Sequence, residues 1–353
     1  MAAVTPAAAP SASSQPDVLP EGILLRVDGL KTHFGTGNRT AKAVDGVTFS
    51  LPRGRTVAVV GESGSGKSVT SLSIMGLIAP PGRIAGGRIL HRDREGRVRD
   101  LARLTNADFR HIRGPEIAMI FQEPMTSLNP LMTVGEQIGE MIALHERISR
   151  GDLRRRVVEL LKKVEIPAAE SRADDYPHQM SGGMRQRAMI AMALACTPQL
   201  LIADEPTTAL DVTIQAQILE LMRRLQADMG MSMLFITHNL GVVAEIAHEV
   251  VVMYAGRVVE QAPAETLFGR PSHPYTRALL ASTPDPDRDI AADGSRRPLA
   301  AIPGFVPSIT NLPPGCAFAP RCPLAAQACR ESPPELTTVA PGHVARCIRM
   351  EAA

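Results

Sequence analysis

The chain has 353 residues, of which 44% are hydrophobic and 21% charged, and its formal net charge is +2. These values are typical of globular proteins, and a net charge this close to zero gives no general electrostatic sign of nucleic-acid binding. Because no stretch of about 20 apolar residues occurs, no membrane-spanning helix is predicted.

The first 21 residues are rich in alanine, serine and proline. They contain no positively charged region followed by a continuous apolar run, so they do not match a secretory signal. This composition predicts a disordered tail, and we place the start of the folded part at residue 22.

Continuous apolar runs bounded by turn residues predict strands that are buried on both faces. In chain order these runs are Thr56–Val60, Ile117–Phe121, Leu200–Ala203 and Met233–Thr237, and a short β-type run at Ile23–Val27 precedes them. Helices are predicted between them, from about Lys67 to Leu77 and from Thr213 to Leu225, and a hairpin at Val250–Val259. The alternation of strands and helices predicts an α/β fold with a parallel core.

Residues 83–113 are rich in arginine: Arg83, Arg88, Arg92, Arg94, Arg97, Arg99, Arg103, Arg110 and Arg113. Four acidic residues are interleaved with them, and aromatic residues for base stacking are nearly absent. We interpret the segment as a solvated hairpin and helix face and expect no nucleic-acid partner.

A glycine-rich segment follows the second predicted strand and opens the first predicted helix. Its residues are Gly61, Glu62, Ser63, Gly64, Ser65, Gly66, Lys67 and Ser68. This is the GxxxxGK(S/T) pattern, in which glycines let backbone N–H groups converge on phosphate oxygens at a helix N-terminus. Lys67 is predicted to reach the β- and γ-phosphates, and Ser68 to bind Mg²⁺.

Acidic and imidazole side chains follow the next two buried strands. Asp204 and Glu205 end an apolar strand, a pattern that suits Mg²⁺ binding by Asp204 and activation of a water molecule by Glu205. His238 follows the Met233–Thr237 strand, where it is predicted to contact the γ-phosphate and the attacking water. The three residues are therefore candidate members of one ATP-hydrolysing site.

The segment from Met180 to Arg187, which includes Ser181, Gly182 and Gly183, resembles the LSGGQ signature of ABC ATPases. It precedes Asp204 by the spacing found in that family. Met180 and Met184 depart from the usual Leu and Gln, but the Ser-Gly-Gly core is kept.

This resemblance implies further site residues. Gln122 matches the glutamine that senses Mg²⁺ and nucleotide, Asp211 the D-loop, His238 the switch histidine, and Phe34 the aromatic residue that stacks on adenine. The implied fold is a P-loop NTPase core of the ABC type with an antiparallel β subdomain. The nucleotide-binding domain would span residues 22–268, with a helical signature subdomain at about 123–186.

A narrower resemblance, to the dipeptide/oligopeptide and nickel importer subfamily, rests on three segments: Phe121–Pro130, His273–Thr276, and Pro313–Cys316 with the cysteines that follow. It implies an ATPase subunit at the cytoplasmic face of the inner membrane, peripherally bound and driving peptide uptake. Import of nickel or another small solute, or a soluble ABC ATPase unrelated to transport, remain alternatives.

The implied partners are a second ABC ATPase subunit (a paralogue or a second copy), two permease subunits and, through them, a solute-binding protein. In the family, two ATPase subunits face head to tail, so that ATP lies between the P-loop of one and the signature of the other. The segment from Glu123 to Gln137 would dock the permease.

Residues 269–353 form the predicted C-terminal extension, in which frequent prolines predict irregular structure. Four of its residues are cysteines: Cys316, Cys322, Cys329 and Cys347. In a chain without an export signal such a set favours a metal site over disulfides. Four thiolates suit zinc or a 4Fe–4S cluster, and the absence of a Cys-x2-Cys pair, together with the resemblance, favours the cluster. Cys196 is predicted to be a core residue.

Overall fold

A computed structural model describes residues 18–37, 40–122, 127–208, 210–284 and 301–350. Its strands are β1 Ile23–Phe34, β2 Ala41–Pro52, β3 Thr56–Val60, β4 Gly82–Arg92, β5 Val98–Asp100, β6 Ile117–Ile120, β7 Leu200–Asp204, β8 Ser232–Thr237, β9 Glu249–Tyr254, β10 Arg257–Pro263, β11 Thr337–Ala340 and β12 His343–Ala345. Its helices are α1 Lys67–Ile74, α2 Asn106–Ile112, α3 Val134–His145, α4 Arg150–Lys163, α5 Ala169–Arg172, α6 Gly182–Leu194, α7 Val212–Met229, α8 Leu240–Ile246, α9 Ala264–Gly269, α10 Pro274–Ala281 and α11 Ala328–Glu331.

The main sheet has the strand order β11-β12-β10-β9-β3-β8-β7-β6. Strands β9, β3, β8, β7 and β6 run parallel, while β10, β12 and β11 extend the sheet with antiparallel pairing. Every residue of β3, β7 and β8 is buried, as their continuous apolar runs predict. The predicted parallel core and the β9–β10 hairpin are confirmed.

A second sheet, with the order β2-β1-β4-β5, is antiparallel and packs its apolar face on the main sheet. Leu19, which we assigned to the tail, is buried, and its carbonyl oxygen accepts a hydrogen bond from Arg92. The N-terminal segment is therefore packed from at least this residue onward. In the arginine-rich segment, Asp93 accepts hydrogen bonds from Arg97 and Arg99, so these charges are paired within the hairpin.

Helices α3 to α6 form a helical subdomain inserted between β6 and β7. Helix α3 begins at a capping box in which the Thr133 hydroxyl and the Glu136 carboxylate each accept a backbone N–H of the other residue. The apolar faces of α3, α4 and α6 share one buried cluster with α7, β6 and β7. The signature helix α6 is thus fixed to the core through packing as well as through the chain.

The C-terminal extension combines long irregular stretches with short helices and strands, so it is less irregular than its prolines predict. Its strand β12 pairs with β10, with Glu260 opposite Ala345. The Glu260 carboxylate is fully buried and accepts hydrogen bonds from the backbone of Ser272 and His273 and from His343 Nε2. A buried carboxylate without such donors would be costly, so Glu260 ties the extension to the core sheet.

Among the helices of the described ranges, none combines the length and the apolar character that crossing a bilayer requires.

Candidate functional site

The glycine-rich loop connects β3 to α1 and is shaped by close backbone contacts. A Cβ atom at Gly61 would lie 2.2 Å from the carbonyl oxygen of Met253, and one at Gly66 would lie 2.4 Å from that of Ala43. Gly66 also has a φ of 99°, a conformation that disfavours other residues. The loop therefore needs glycine at both positions, and its N–H groups stand at the N-terminus of α1, where phosphate binding is favoured.

Lys67 is the first residue of α1 and is largely buried. Its Nζ donates hydrogen bonds to the carbonyl oxygens of Gly61, at 2.8 Å, and Glu62, at 3.1 Å. Burial lowers the pKa of Lys67, while the nearby carboxylates of Glu205, Asp204 and Glu62 act in the opposite direction. The ammonium group is thus held inside the loop at the place where phosphate oxygens would bind.

Ser68 and Asp204 meet across the site. The Ser68 hydroxyl donates to Asp204 Oδ1 at 3.2 Å. Burial raises the pKa of Asp204, and the hydrogen bond from Ser68 offsets part of that effect. A hydroxyl next to one buried carboxylate fits Mg²⁺, which binds few protein ligands and takes the others from water and nucleotide phosphates.

Glu205 lies beyond the end of β7 and contacts the other two predicted catalytic residues. Its Oε1 is 3.0 Å from His238 Nδ1, and its Oε2 accepts from Gln122 Nε2 at 3.2 Å. The Thr208 hydroxyl donates to Oε2 at 3.0 Å. Glu205 has a φ of 49°, and its N–H donates to the carbonyl of Ile236, so the backbone holds the carboxylate past the strand end.

Opposing effects set the pKa of the Glu205 carboxyl. Partial burial raises the pKa, but the hydrogen bonds from His238 and Thr208 outweigh it, so that the pKa is lowered. A glutamate with a lowered pKa is deprotonated at neutral pH, as a group that orients and polarises water must be. The structure therefore brings Gln122, Glu205 and His238 together, as the sequence predicts.

The signature residues lie apart from the loop, at the start of α6. The Ser181 hydroxyl caps the helix by accepting the N–H of Met184, and Gly182 is exposed. Gly183 lies against Ile214 of α7, whose N-cap is Asp211. Helix α6 packs on β6, which is three strands from β3 and so about 14 Å away across the sheet. The structure does not assemble the signature with this chain's own P-loop.

Phe34 ends β1, opposite Gly82 of β4. A Cβ atom at Gly82 would lie 2.4 Å from the Phe34 ring, so glycine there makes room for the aromatic side chain. The ring is half-buried. Its contact with adenine stays a prediction. Ala209, two residues before Asp211 of the predicted D-loop, and residues 123–126 of the predicted docking segment lie outside the described residues.

Several residues of the site were not predicted. Thr208 could have been found, because a hydroxyl three residues after a catalytic glutamate can turn back to it. Gln186 is fully buried and donates to the carbonyl of Pro206, linking the signature helix to the segment after β7. Tyr275 and Arg321 contact Glu62 from the C-terminal extension. No local pattern signals these last two, which are far from Glu62 in sequence.

The four cysteines of the extension line one small cavity of about 20 Å³. Burial raises the pKa of the Cys316, Cys322 and Cys347 thiols. In the ranges that the structure describes, no three His, Cys, Asp or Glu side chains form a group that could hold a metal ion. The cavity is close to the size of one water molecule, so a cluster would fit only after the thiols move apart. The expected cluster is thus not confirmed.

Cys196 is buried near the end of α6, as predicted, with its thiol 3.4 Å from the carbonyl oxygen of Met141.

Comparison with known proteins supports the interpretation of this site as that of an ABC ATPase. The ABC transporter family profile matches residues 44–208, and that of the oligopeptide/dipeptide transporter C-terminal region matches residues 259–329. The oligopeptide transport ATP-binding protein AppD of Bacillus subtilis is 53% identical over 328 residues, which cover 93% of this chain and 97% of AppD. The chain belongs to the ABC transporter family. It is an ATPase subunit that uses ATP and Mg²⁺.

A second relative is the dipeptide transport ATP-binding protein DppD of Escherichia coli, which is 51% identical over 324 residues, 92% of this chain and 96% of DppD. Among solved structures, a dimeric ATP-binding cassette bound to ADP and phosphate has a TM-score of 0.60 at 27% identity, covering 68% of this chain and 99% of that chain. Part of the cbiONQ transporter of Clostridium perfringens has a TM-score of 0.58 at 26% identity, covering 70% and 92%. Both support the ABC ATPase fold.

The contacts of Glu205 generate a prediction. Substituting His238 with Ala removes a hydrogen bond and a charge interaction that lower the Glu205 pKa, so this pKa should rise. A titration of the ¹³C-labelled glutamate carboxyl by NMR, assigned with Glu205→Gln, would measure it. His111→Ala, which alters an exposed histidine on α2, should leave the Glu205 pKa unchanged. An unchanged Glu205 pKa in His238→Ala would contradict the contact.

Proposed function

We propose that this ATPase powers the import of dipeptides or oligopeptides at the cytoplasmic face of the inner membrane, as a peripheral subunit. The observation that carries the ATPase part is the convergence of Gln122, His238 and Thr208 on Glu205, beside the Ser68–Asp204 pair. The peptide part is supported by the peptide-transport roles of the relatives AppD and DppD and by the match of residues 259–329.

In this proposal the loop residues Gly61–Ser68 bind the phosphates, and Phe34 stacks on the adenine. Ser68, Gln122 and Asp204 would hold Mg²⁺, which would neutralise phosphate charge. Glu205 accepts a proton from the attacking water, and His238 keeps Glu205 oriented through the 3.0 Å contact. Ser181, Gly182, Gly183 and Asp211 complete the site of a facing ATPase subunit, either a paralogue or a second copy.

A groove between the core sheet and the helical subdomain supports the permease contact. It has a volume of about 430 Å³ and a mainly apolar lining, which includes Leu77, Phe121, Met141, Met189 and Met192. Phe121 is 43% exposed. We propose that an apolar segment of each permease subunit docks here, next to Gln122, and that a solute-binding protein delivers peptide to the two permeases.

The first test separates ATP binding from hydrolysis. Glu205→Gln should retain ATP binding and lose about 10²–10⁴-fold in hydrolysis rate, because the amide keeps the size of the side chain but is not a base. Lys67→Ala is the matched variant and should lose ATP affinity as well. Rates and ATP dissociation constants of the purified subunit would be measured. Normal turnover in Glu205→Gln would refute its assignment.

In cells that carry the permease subunits, the same variants test which solute is transported. Uptake of a labelled dipeptide should depend on Glu205. If nickel uptake depends on Glu205 and peptide uptake does not, the peptide assignment is wrong. If neither depends on it and the protein does not co-purify with permeases, transport itself is ruled out.

The second test concerns the facing subunit. Ser181→Arg should abolish ATP-dependent association, because the signature would no longer accept the partner's nucleotide. If two copies pair, mixing Ser181→Arg with Lys67→Ala restores one complete site and part of the ATPase activity. Mixing Lys67→Ala with the double variant that carries both Lys67→Ala and Ser181→Arg restores no complete site and no ATPase activity. Unchanged association in Ser181→Arg would overturn the interface, whereas association lost without any rescue would identify the partner as a paralogue.

We also propose that Cys316, Cys322, Cys329 and Cys347 bind a 4Fe–4S cluster that orders the extension, with zinc as the alternative. The support is their shared cavity and the position of Cys316 and Cys322 against the buried cluster of Tyr275 and Phe318. Metal binding would replace the thiol protons and supply order that a proline-rich segment lacks.

Anaerobically purified protein should contain iron and acid-labile sulfide and lose both in Cys322→Ser. Cys196→Ser is the control, since Cys196 lies outside this cavity, and should retain them. One zinc per chain without iron would establish the alternative, and no bound metal would refute both.

A further inference from the structure

Two residues of the C-terminal extension hold the second residue of the phosphate-binding loop. Arg321 Nη1 donates to Glu62 Oε2 at 2.9 Å, and these side chains are 6% and 25% exposed. The hydroxyl of Tyr275, which is fully buried, accepts the backbone N–H of Glu62 at 2.9 Å. Glu62 is therefore fixed by its side chain and by its backbone, from two separate elements of the extension.

Arg321 is itself held rigidly. Its Nε donates to the carbonyl of Pro303 at 2.9 Å, its Nη2 to that of Ile302 at 3.3 Å, and its Nη1 also to the Tyr254 hydroxyl at 3.2 Å. The guanidinium lies 5.9 Å from the centre of the Tyr254 ring. Exposed ion pairs contribute little because both partners are mobile and solvated, but this arginine is buried and its hydrogen bonds fix its orientation.

Glu62 in turn controls the placement of Lys67. The Lys67 ammonium donates to the carbonyl oxygen of Glu62, so a rotation of this peptide would move an acceptor of the phosphate-binding lysine. On either side of Glu62 the loop is confined, since Gly61 and Gly66 are in close contact with Met253 and Ala43. The contacts of Arg321 and Tyr275 with Glu62 are thus those through which the extension can set the shape of the loop.

We propose that Arg321 and Tyr275 are positioning residues for ATP binding, which makes the extension a working part of the nucleotide site. The inference rests on the proposed assignment of Gly61–Ser68 to the phosphates. Arg321 also neutralises the Glu62 carboxylate, which would otherwise repel the incoming phosphates. Because Cys322 directly follows Arg321, a rearrangement of the cysteine cavity would be transmitted to the loop.

The experiment measures KM and kcat for ATP hydrolysis, ATP dissociation constants and Tm for the full chain with Arg321→Met or Tyr275→Phe. Arg321→Met should raise KM and the dissociation constant about tenfold, with kcat at saturation changed less than about twofold. Tyr275→Phe removes only the acceptor and should raise KM about threefold. Arg321→Lys keeps the charge and should recover part of the affinity.

The matched control is Arg88→Met. Arg88 pairs with Asp28 at the same 2.9 Å, is also partly buried, and lies in the antiparallel sheet. Its loss should lower Tm without changing KM. In the variant that combines Glu62→Gln with Arg321→Met, KM should rise no further than in Arg321→Met alone, because both changes remove the same contact between Glu62 and Arg321.

Equal KM values in wild type, Arg321→Met and Tyr275→Phe would overturn the inference while leaving the nucleotide site intact. A wild-type chain that does not bind ATP would overturn the proposed site, and the inference with it. Should Arg321→Met fail to fold, the KM of Tyr275→Phe decides the question.

Discussion

The parallel pairing of β3 with β8, β8 with β7 and β7 with β6 is the constraint on which the site depends. Parallel strands bring their carboxyl ends to one edge of the sheet, where ligands of open α/β sheets bind. The loop Gly61–Ser68, His238 and Gln122 each follow one of these strands, and Asp204 ends β7 with Glu205 directly after it. The arrangement of the strands therefore brings together four segments that are distant in sequence.

Most of this edge could be predicted from the sequence, because each part carries a local signal. An uninterrupted apolar run such as Val57–Val60 marks a strand buried on both faces, and the residue that follows it must lie at the sheet edge. The predicted and observed strands of the parallel core differ by only a few residues at their ends. In the antiparallel sheet, β1 continues to Phe34 through a half-buried pattern with bulges that masks its periodicity, and β2 and β4 were not among the predicted strands.

The extension could not be predicted in the same way, since its contacts are long-range and few. Strand β12 has three residues and pairs with β10 across some 80 positions of sequence. Glu260, a charged residue in an apolar strand, indicates a buried polar contact, but nothing local identifies His343 as its partner. The same holds for Arg321 and Glu62, where a single ion pair depends on how a proline-rich chain folds back.

In the proposed function, the chain carries two halves of different ATP sites. The exposed Gly182 and the Ser181 cap present a helix N-terminus away from the P-loop, and a helix N-terminus favours anions. A site divided in this way is complete only when two subunits associate. Nucleotide binding and subunit association are then one thermodynamic process, in which each strengthens the other by the same factor.

Charge balance explains why a site this acidic can receive a nucleotide. The carboxylates of Glu205, Asp204 and Glu62 all act on Lys67, and burial alone would disfavour its charged form. The triphosphate brings several further negative charges, so the carboxylates must be neutralised in turn. In the proposed site, Mg²⁺ would do this for Asp204, and His238 and Gln122 contact Glu205. The ion pair of Arg321 with Glu62 balances the third carboxylate, which in the proposed site would leave the Lys67 charge available to the phosphates.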